Sequence, residues 1–219
     1  NMSLADYEDF VYNACMPDMD DPVGYWKKVE ARQAKVIDWL KGKQSVHITA
    51  PGTDLTLGIT GRPFINCACQ VNVPDGEIFT SPLEDSANGY VHFTYPTNYE
   101  GFEVTGVHLE FENGKVVRAS ADKNEAYLLS KLDTDPGARY LGEFAIGTNE
   151  GIDRFTGQIL FDEKIGGSFH LAVGHGYPES LSQNESVVHW DMICDLRQGG
   201  EIHVDGELFY KDGGFVINF

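Results

Sequence analysis

Residues 105–121, TGVHLEFENGKVVRASA, carry the clearest fold signal in the chain. Apolar and polar residues alternate on both sides of Asn113-Gly114, a dipeptide that favours the tight turn of a β-hairpin. Because the two strands of a hairpin run in opposite directions, this stretch predicts an antiparallel sheet in the middle of the chain.

The same two-residue period recurs on both sides of this hairpin. It predicts further strands at 46–49, 54–59, 64–71, 90–95, 140–146 and 187–194, and a last hairpin at 208–217. A helix is expected from Asp122 to about Leu132, because Asp122 can cap its first turn. Strands therefore dominate the chain from about residue 45 onward.

The N-terminal part has helical spacing instead. Ser3 and Asp6 form a capping pattern, and Asp21-Pro22 opens a second helix that ends before Gly42. We therefore predict an α+β fold in which a helical N-terminal arm (1–44) precedes a strand-rich body (45–219) built on a curled mixed or antiparallel sheet. We expect arm and body to form one domain.

The composition excludes several functions. The net charge of −18 argues against a nucleic-acid or anionic-membrane partner, and no apolar run is long enough for a transmembrane helix. The four cysteines show no zinc-binding spacing, and Cys67 and Cys69 are expected on one face of a strand. Reduced thiols, with no secretory signal at the start of the chain, predict a cytoplasmic location.

Residues 187–194, VVHWDMIC, place chemical groups on a strand. Because side chains alternate between faces, Val188, Trp190 and Met192 share one face, whereas His189 and Asp191 lie side by side on the other. An imidazole and a carboxylate in this arrangement can bind one cation. The alternative is an amphipathic strand with one solvated face.

Three further segments carry polar groups in apolar or glycine-rich surroundings. Residues 166–178, GGSFHLAVGHGYP, contain two histidines, and their spacing does not select a ligand. Glu77 follows the turn sequence PDG, and Glu143 interrupts an apolar strand. Alone, each segment has an ordinary alternative: a turn-rich loop, a surface turn or an outward-facing position. Together, the four segments supply the carboxylates and imidazoles of a two-metal hydrolase.

Four motifs occur in a fixed order, and they carry a family resemblance. They are NVPDGEIFTSP (72–82), YLGEFAIG (140–147), ILFDEKIGGSFHLAVGHGYP (159–178) and VVHWDM (187–192). They resemble the signature segments of the M29 metallopeptidases, the family of leucyl aminopeptidase T. Residues 6–28 and 52–62 are similar to the stretches that precede the metal site in that family, so the resemblance covers nearly the whole chain.

The resemblance implies a set of site residues. His175 is expected to be a neighbour of the site, and Glu163 is expected to hold a ligand histidine in place. Tyr177 corresponds to the active-site tyrosine, and Glu143 is expected to act in catalysis as well as in metal binding. The metal ligands implied by the resemblance are Glu77, Glu143, His170, His189 and Asp191.

The resemblance also implies the activity: a metal-dependent aminopeptidase that removes N-terminal residues from peptides. Two divalent ions (zinc, cobalt or manganese) would activate water, with Glu77 or Asp191 shared between them and Tyr177 donating a hydrogen bond to the developing oxyanion. Family members carry a second N-terminal domain, which we expect this chain to lack. A homodimer is compatible with the family.

Other functions remain open at this point. The alternative is a truncated, non-enzymatic or weakly active metal-binding module of the same fold, and a hydrolase of another small amide or ester is a third candidate. A cysteine or serine nucleophile is disfavoured, because Cys67, Cys69 and Cys194 lie in apolar segments and no Gly-x-Ser-x-Gly motif occurs. No phosphate-binding P-loop is present either.

Overall fold

The computed structural model describes residues 3–217, and its first elements are the two predicted helices. Helix α1 (Leu4–Cys15) begins at Ser3, whose hydroxyl accepts a hydrogen bond from the Asp6 N–H at 3.1 Å. Helix α2 (Pro22–Leu40) is capped by the Asp21 carboxylate. Helix α3 (Glu125–Leu132) has its N-cap at Asn124, two residues after the predicted cap Asp122, and α4 (Ile159–Asp162) was not predicted.

Fifteen strands account for most of the remaining regular structure in the described residues. In chain order they are β1 (Ser45–Ala50), β2 (Thr53–Gly58), β3 (Ile65–Cys67), β4 (Glu77–Thr80), β5 (Asn88–His92), β6 (Thr97–Tyr99), β7 (Phe102–Val104), β8 (His108–Glu112), β9 (Lys115–Ser120), β10 (Leu141–Gly147), β11 (Ser168–Gly174), β12 (His189–Asp195), β13 (Glu201–Val204), β14 (Glu207–Lys211) and β15 (Gly214–Phe215). The hairpin predicted around Asn113-Gly114 is confirmed as β8 and β9, and both turn residues have the positive φ that this tight turn requires.

The strands form two large sheets and one small one. The eight-stranded sheet has the order β15-β14-β13-β1-β2-β5-β8-β9, the five-stranded sheet the order β12-β11-β10-β4-β3, and β6 pairs with β7. All of these pairs are antiparallel, so the predicted α+β class and antiparallel pairing are confirmed. The predicted curl is not confirmed, because neither large sheet is strongly curled within residues 3–217.

The strand predicted at 64–71 is the clearest error in the sequence prediction. Strand β3 ends at Cys67, and residues 68–74 form bends. Cys69 has a φ of 67°, which a strand does not allow, and its N–H donates to the Asp75 carboxylate at 2.7 Å. Cys67 and Cys69 therefore do not share a strand face.

The main core contains side chains from both large sheets. Ile48, Leu55 and Leu57 of the eight-stranded sheet belong to one buried cluster with Phe144 and Leu171 of the five-stranded sheet. Val188, Trp190 and Met192, which were predicted to share an apolar face, lie in the same cluster, and so does Cys194. This packing occupies one face of the five-stranded sheet and leaves its other face for polar groups.

Helix α2 is tied to the five-stranded sheet by a buried glutamine. The Gln33 amide nitrogen donates to the main-chain carbonyls of Cys67 and Glu77, each at 3.1 Å, and its amide oxygen accepts from Thr148 Oγ1 at 2.6 Å. These bonds hold β3 and β4 against α2 of the helical arm. None of the helices in residues 3–217 has the length and apolar character needed to cross a bilayer.

We expect Gln33→Leu to lower the free energy of unfolding by about 2 kcal/mol, because a buried carbonyl (Glu77) and a partly buried one (Cys67) lose their donor. Urea unfolding of the metal-free chain measures this change. Lys35→Leu, at an exposed position of the same helix, is the matched control and should change the free energy by no more than about 0.5 kcal/mol. Equal losses in the two variants would contradict the role given to Gln33.

Candidate metal centre

The polar face of the five-stranded sheet gathers groups from neighbouring strands at one level. Glu143 of β10 lies opposite Ala172 of β11, which in turn lies opposite Asp191 of β12. His170 lies opposite Ala145. Residues that pair directly across strands point to the same face, so these side chains project together, and the two alanines leave room between them.

Two more of the predicted ligands lie opposite glycines. Glu77 of β4 pairs with Gly147, and His189 of β12 pairs with Gly174. The register thus places all five predicted ligand positions on one face of four adjacent strands. The predicted alternation along β12, with His189 and Asp191 opposite the apolar face, is what the structure has.

Distances join these five side chains into one cluster. His170 Nε2 lies 3.4 Å from Glu143 Oε1 and 3.6 Å from Glu77 Oε2. His189 Nε2 lies 3.6 Å from Glu143 Oε2 and 3.5 Å from Asp191 Oδ2. Glu143 therefore presents one oxygen to each imidazole and stands between the two halves of the cluster.

Main-chain carbonyls fix both imidazoles. His170 Nδ1 donates to the carbonyl oxygen of Glu163 at 3.0 Å, and His189 Nδ1 donates to that of His175 at 2.8 Å. Because a carbonyl only accepts hydrogen bonds, Nδ1 carries the proton, and in the neutral ring the Nε2 lone pair faces the carboxylates. Glu163 thus holds a predicted ligand histidine through its main chain, and His175 is the neighbour of the other.

The cluster is buried and short of hydrogen-bond donors. Burial raises the pKa of Glu77 to about 8. Burial alone would lower the pKa of His170, but its hydrogen bond to Glu143 and the charge of Glu77 raise the pKa to about 10. Within residues 3–217, Glu77 Oε2 and Asp191 Oδ1 are buried and have no hydrogen-bond partner. Such oxygens are costly to bury unless a cation binds them.

The donor set fits divalent cations. Two groups of three residues have ligand atoms within 4.8 Å of one another and share one member: Glu77, Glu143 and His170 form the first, and Glu143, His189 and Asp191 form the second. Carboxylate oxygen and imidazole nitrogen are ligands that zinc, cobalt and manganese accept. Glu143 is the member common to these two groups; the expectation that Glu77 or Asp191 is the shared carboxylate stays a prediction.

A buried lysine next to the cluster escaped the sequence analysis. Lys164 is 0% exposed, and its Nζ lies 3.4 Å from Glu77 Oε1 and in contact with Glu163 Oε1. Burial would lower the pKa of this ammonium, but the charges of Glu77 and Glu163 raise the pKa above its usual range. Its sequence context, Asp-Glu-Lys, is typical of an exposed segment, so no pattern signalled a buried cation.

Tyr177 lies at the open side of the cluster. Its hydroxyl is 3.5 Å from His189 Nε2, its ring packs against Phe79, and 37% of the residue is exposed. Partial burial, together with the charges of Glu143 and Asp191, raises the pKa of the phenol above its usual range. The hydroxyl therefore stays protonated and can donate a hydrogen bond.

A cavity of about 280 Å³ lies against the cluster. Asp191 and Ile193 of β12 form part of its wall. Phe155 and Ile159 add apolar surface, whereas Asn98 adds a polar group. The cavity lies directly beside a predicted ligand, Asp191.

Comparison with known proteins assigns the class. The profile of the thermophilic metalloproteases, M29, matches residues 1–215, and the chain belongs to this family. Aminopeptidase 2 of Geobacillus stearothermophilus is 32% identical over 90% of this chain and 53% of its own length. Aminopeptidase T of Thermus thermophilus is 31% identical over 93% of this chain and 55% of its own length. The chain spans about half the length of these curated relatives.

Solved structures show the same fold. Wild-type AmpT from Thermus thermophilus superposes with a TM-score of 0.84 at 28% identity, over 95% of this chain and 58% of that one. A 2,5-dihydroxypyridine dioxygenase from Pseudomonas putida superposes with a TM-score of 0.71 at 19% identity, over 95% of this chain and 62% of that one. The second likeness concerns the fold alone.

We expect Lys164→Met to destabilise the metal-free chain by about 3–5 kcal/mol, because Glu77 and Glu163 stay buried without their ammonium partner. Saturating zinc should restore part of this loss, since a bound cation compensates the Glu77 charge. Thermal unfolding with and without zinc measures both effects.

Lys131→Met is the matched control for this prediction. Lys131 pairs with Glu100 at 2.6 Å at the protein surface, so its loss should cost no more than about 1 kcal/mol and should not depend on zinc. A Lys164→Met variant as stable as the control would show that the buried ammonium does not balance the cluster.

Proposed function

We propose that this chain carries the catalytic machinery of a metal-dependent aminopeptidase, which hydrolyses N-terminal residues from peptides. The observation that carries the proposal is Glu143, whose two oxygens face two main-chain-anchored imidazoles in a buried cluster. Relatives that share the family are named aminopeptidases, which supports the peptide substrate class. When bound, two divalent ions (zinc, cobalt or manganese) supply Lewis acidity and activate water for attack on the peptide carbonyl.

The proposed ligands fall into two sets joined by one carboxylate. Glu77 and His170 would hold one ion, His189 and Asp191 would hold the other, and Glu143 would be available to both. Both imidazoles would offer Nε2, because Nδ1 is held by a main-chain carbonyl. The alanines opposite Glu143 and His170 keep the space between the sets free of side chains.

Two side chains act on the substrate in this proposal. The protonated Tyr177 hydroxyl donates a hydrogen bond to the oxyanion that develops on the scissile carbonyl. Glu143 carries a proton to the leaving amine when its Oε2 is not engaged by an ion; this oxygen faces His189, on the more open side of the cluster. His189 is 24% exposed in its side chain, against 1% for His170.

The substrate can enter from the cavity beside Asp191. The apolar surfaces of Phe155, Ile159 and Ile193 suit a side chain of the substrate, and Asn98 can bind a polar main-chain group. We propose that this cavity receives the residue next to the cleaved bond. A panel of chromogenic amino-acid derivatives, amides and esters tests the proposed peptide substrate class. Turnover confined to an unrelated amide or ester would place the chain in another hydrolase class.

We also propose that residues 1–219 form one metallopeptidase domain, in which the arm (1–44) stabilises the metal-binding body (45–219). Gln33 of the arm binds the main chain at Cys67 and Glu77, which supports this division of roles. The first and last two residues lie outside the described range. The non-enzymatic alternative is not favoured, since all five predicted ligands are present and clustered. The cytoplasmic location and the homodimer stay predictions.

We expect the purified chain to bind about two divalent ions and to release a chromogenic amino acid only when they are present. A His170→Ala, His189→Ala double variant should lose both the ions and turnover while keeping its circular dichroism spectrum. Elemental analysis and the chromogenic assay measure these outcomes.

His47→Ala together with His203→Ala forms the matched control, because these two histidines pair across β1 and β13 of the other sheet. Their loss should leave ion content and turnover unchanged. Glu143→Gln separates its two proposed roles: loss of ions reports metal binding, and retained ions without turnover report proton transfer. Full turnover in the double variant would overturn the proposed function.

We expect Tyr177→Phe to lower kcat by about 10²–10³-fold with ion content unchanged, because one hydrogen-bond donor to the oxyanion is lost. Steady-state kinetics measure the effect. Tyr90→Phe, at an exposed tyrosine of β5 in the other sheet, should be without effect. A fall in ion content instead of kcat would make Tyr177 a support for His189 rather than an oxyanion donor.

A further inference from the structure

A third group of ligand atoms adjoins the predicted metal cluster and contains a thiol. Cys67 of β3 pairs directly with Glu77 of β4, so both side chains point to the polar face of the sheet. Asp75 reaches the same place from the loop before β4. One ligand atom from each of these three residues lies within 4.8 Å of the others.

One carboxylate oxygen of Asp75 has no hydrogen-bond partner in this group. The residue is 2% exposed, and its Oδ2 accepts the hydrogen bond from the Cys69 N–H. Its Oδ1 is buried without a hydrogen-bond partner in the described part of the chain, and so is Glu77 Oε2. A buried carboxylate oxygen in this condition is stabilised by a cation.

The main chain of all three residues is held in place without an ion. The Gln33 amide nitrogen donates to the carbonyls of Cys67 and Glu77, and the Asn149 amide nitrogen donates to the carbonyl of Asp75 at 2.8 Å. The ligand atoms are therefore brought together by contacts that do not depend on metal. Such preorganisation lowers the entropic cost of binding an ion.

The charges at this place also favour a cation. Asp75 and Glu77 bring two carboxylates, and both cationic groups that face Glu77 are shared with other acids. Lys164 also contacts Glu163, and His170 also faces Glu143. A divalent ion would correct this imbalance.

We propose that Cys67, Asp75 and Glu77 form a third cation position, which takes a thiophilic divalent ion such as zinc or cadmium. The thiolate sulfur selects such ions over magnesium or manganese, which prefer oxygen. Binding releases the thiol proton of Cys67 to the solvent as the metal–sulfur bond forms. Cys67 and Asp75 are outside the five proposed catalytic ligands, so this inference does not rest on the proposed function.

Glu77 belongs both to the third cation position and to the proposed catalytic ligands, so an ion bound by Cys67 affects catalysis. An ion held by Cys67 shares the Glu77 carboxylate, which also faces His170, and withdraws part of its charge from the neighbouring ion without displacing it. Occupation of the third position is therefore inhibitory, and excess zinc or cadmium lowers turnover where excess manganese does not. Replacement of Cys67 relieves that inhibition.

Cadmium titration of the full chain, freed of metal, tests the proposal. Near-ultraviolet absorbance reports cadmium–thiolate bonds, and elemental analysis after gel filtration counts ions per chain. The wild-type chain should bind one ion more than Cys67→Ser, and the thiolate band should vanish in that variant. Asp75→Asn should weaken the binding that gives the band by about 10–100-fold.

Two variants with other cysteines replaced are the matched controls. Cys15→Ser and Cys69→Ser each remove a half-buried thiol outside the group and should keep the band and the ion count. His189→Ala damages the proposed catalytic pair and should keep the band, so the outcome here is independent of the aminopeptidase proposal.

The cadmium–thiolate band and the ion count of Cys67→Ser decide whether the third cation position exists. If both match the wild-type chain, or if the band follows Cys69 instead, the third position does not exist. Should Cys67→Ser fail to fold, Asp75→Asn carries the test: unchanged cadmium affinity in that variant would equally overturn the proposal.

Discussion

The structure depends on one constraint: carboxylates and imidazoles must be buried on one face of a sheet whose other face is apolar core. Burial of Glu77, Glu143 and His170 is tolerable only when their charges compensate one another or bind a cation. The register of the four strands meets this constraint by placing acids next to histidines and small residues between them. The buried ammonium of Lys164 extends the same compensation to Glu163.

The fold does not by itself determine the chemistry. The Pseudomonas putida dioxygenase shares the architecture at a TM-score of 0.71, yet its name describes a different reaction from that of the Thermus aminopeptidase. The distinguishing information therefore lies in the side chains that the sheet presents. In this chain they are the carboxylates and imidazoles around Glu143, and that set supports metal-dependent hydrolysis.

Sequence patterns predicted the parts of the fold where periodicity is strong. The β8–β9 hairpin, the helical arm and the alternation along β12 follow from turn residues and two-residue or helical periods. Strand β11 was not predicted, because all seven of its residues are buried and the sequence SFHLAVG shows no alternation. The five ligand positions came from family motifs, and only the three-dimensional register could show that Glu143 stands between both histidines. Lys164 needed the structure for the same reason: burial of a cation leaves no periodic signal.

The main-chain anchoring of the two histidines has a consequence for how such proteins diverge. Every amino acid has a carbonyl oxygen, so the hydrogen bonds from His170 and His189 do not constrain which side chains occur at positions 163 and 175. A substitution at position 175 can leave the orientation of His189 unchanged if the local backbone path is retained, whereas the Glu163 side chain is separately constrained by its contact with Lys164. The orientation of the two imidazoles is thus set by the shape of the backbone rather than by the identity of the residues that supply the carbonyls.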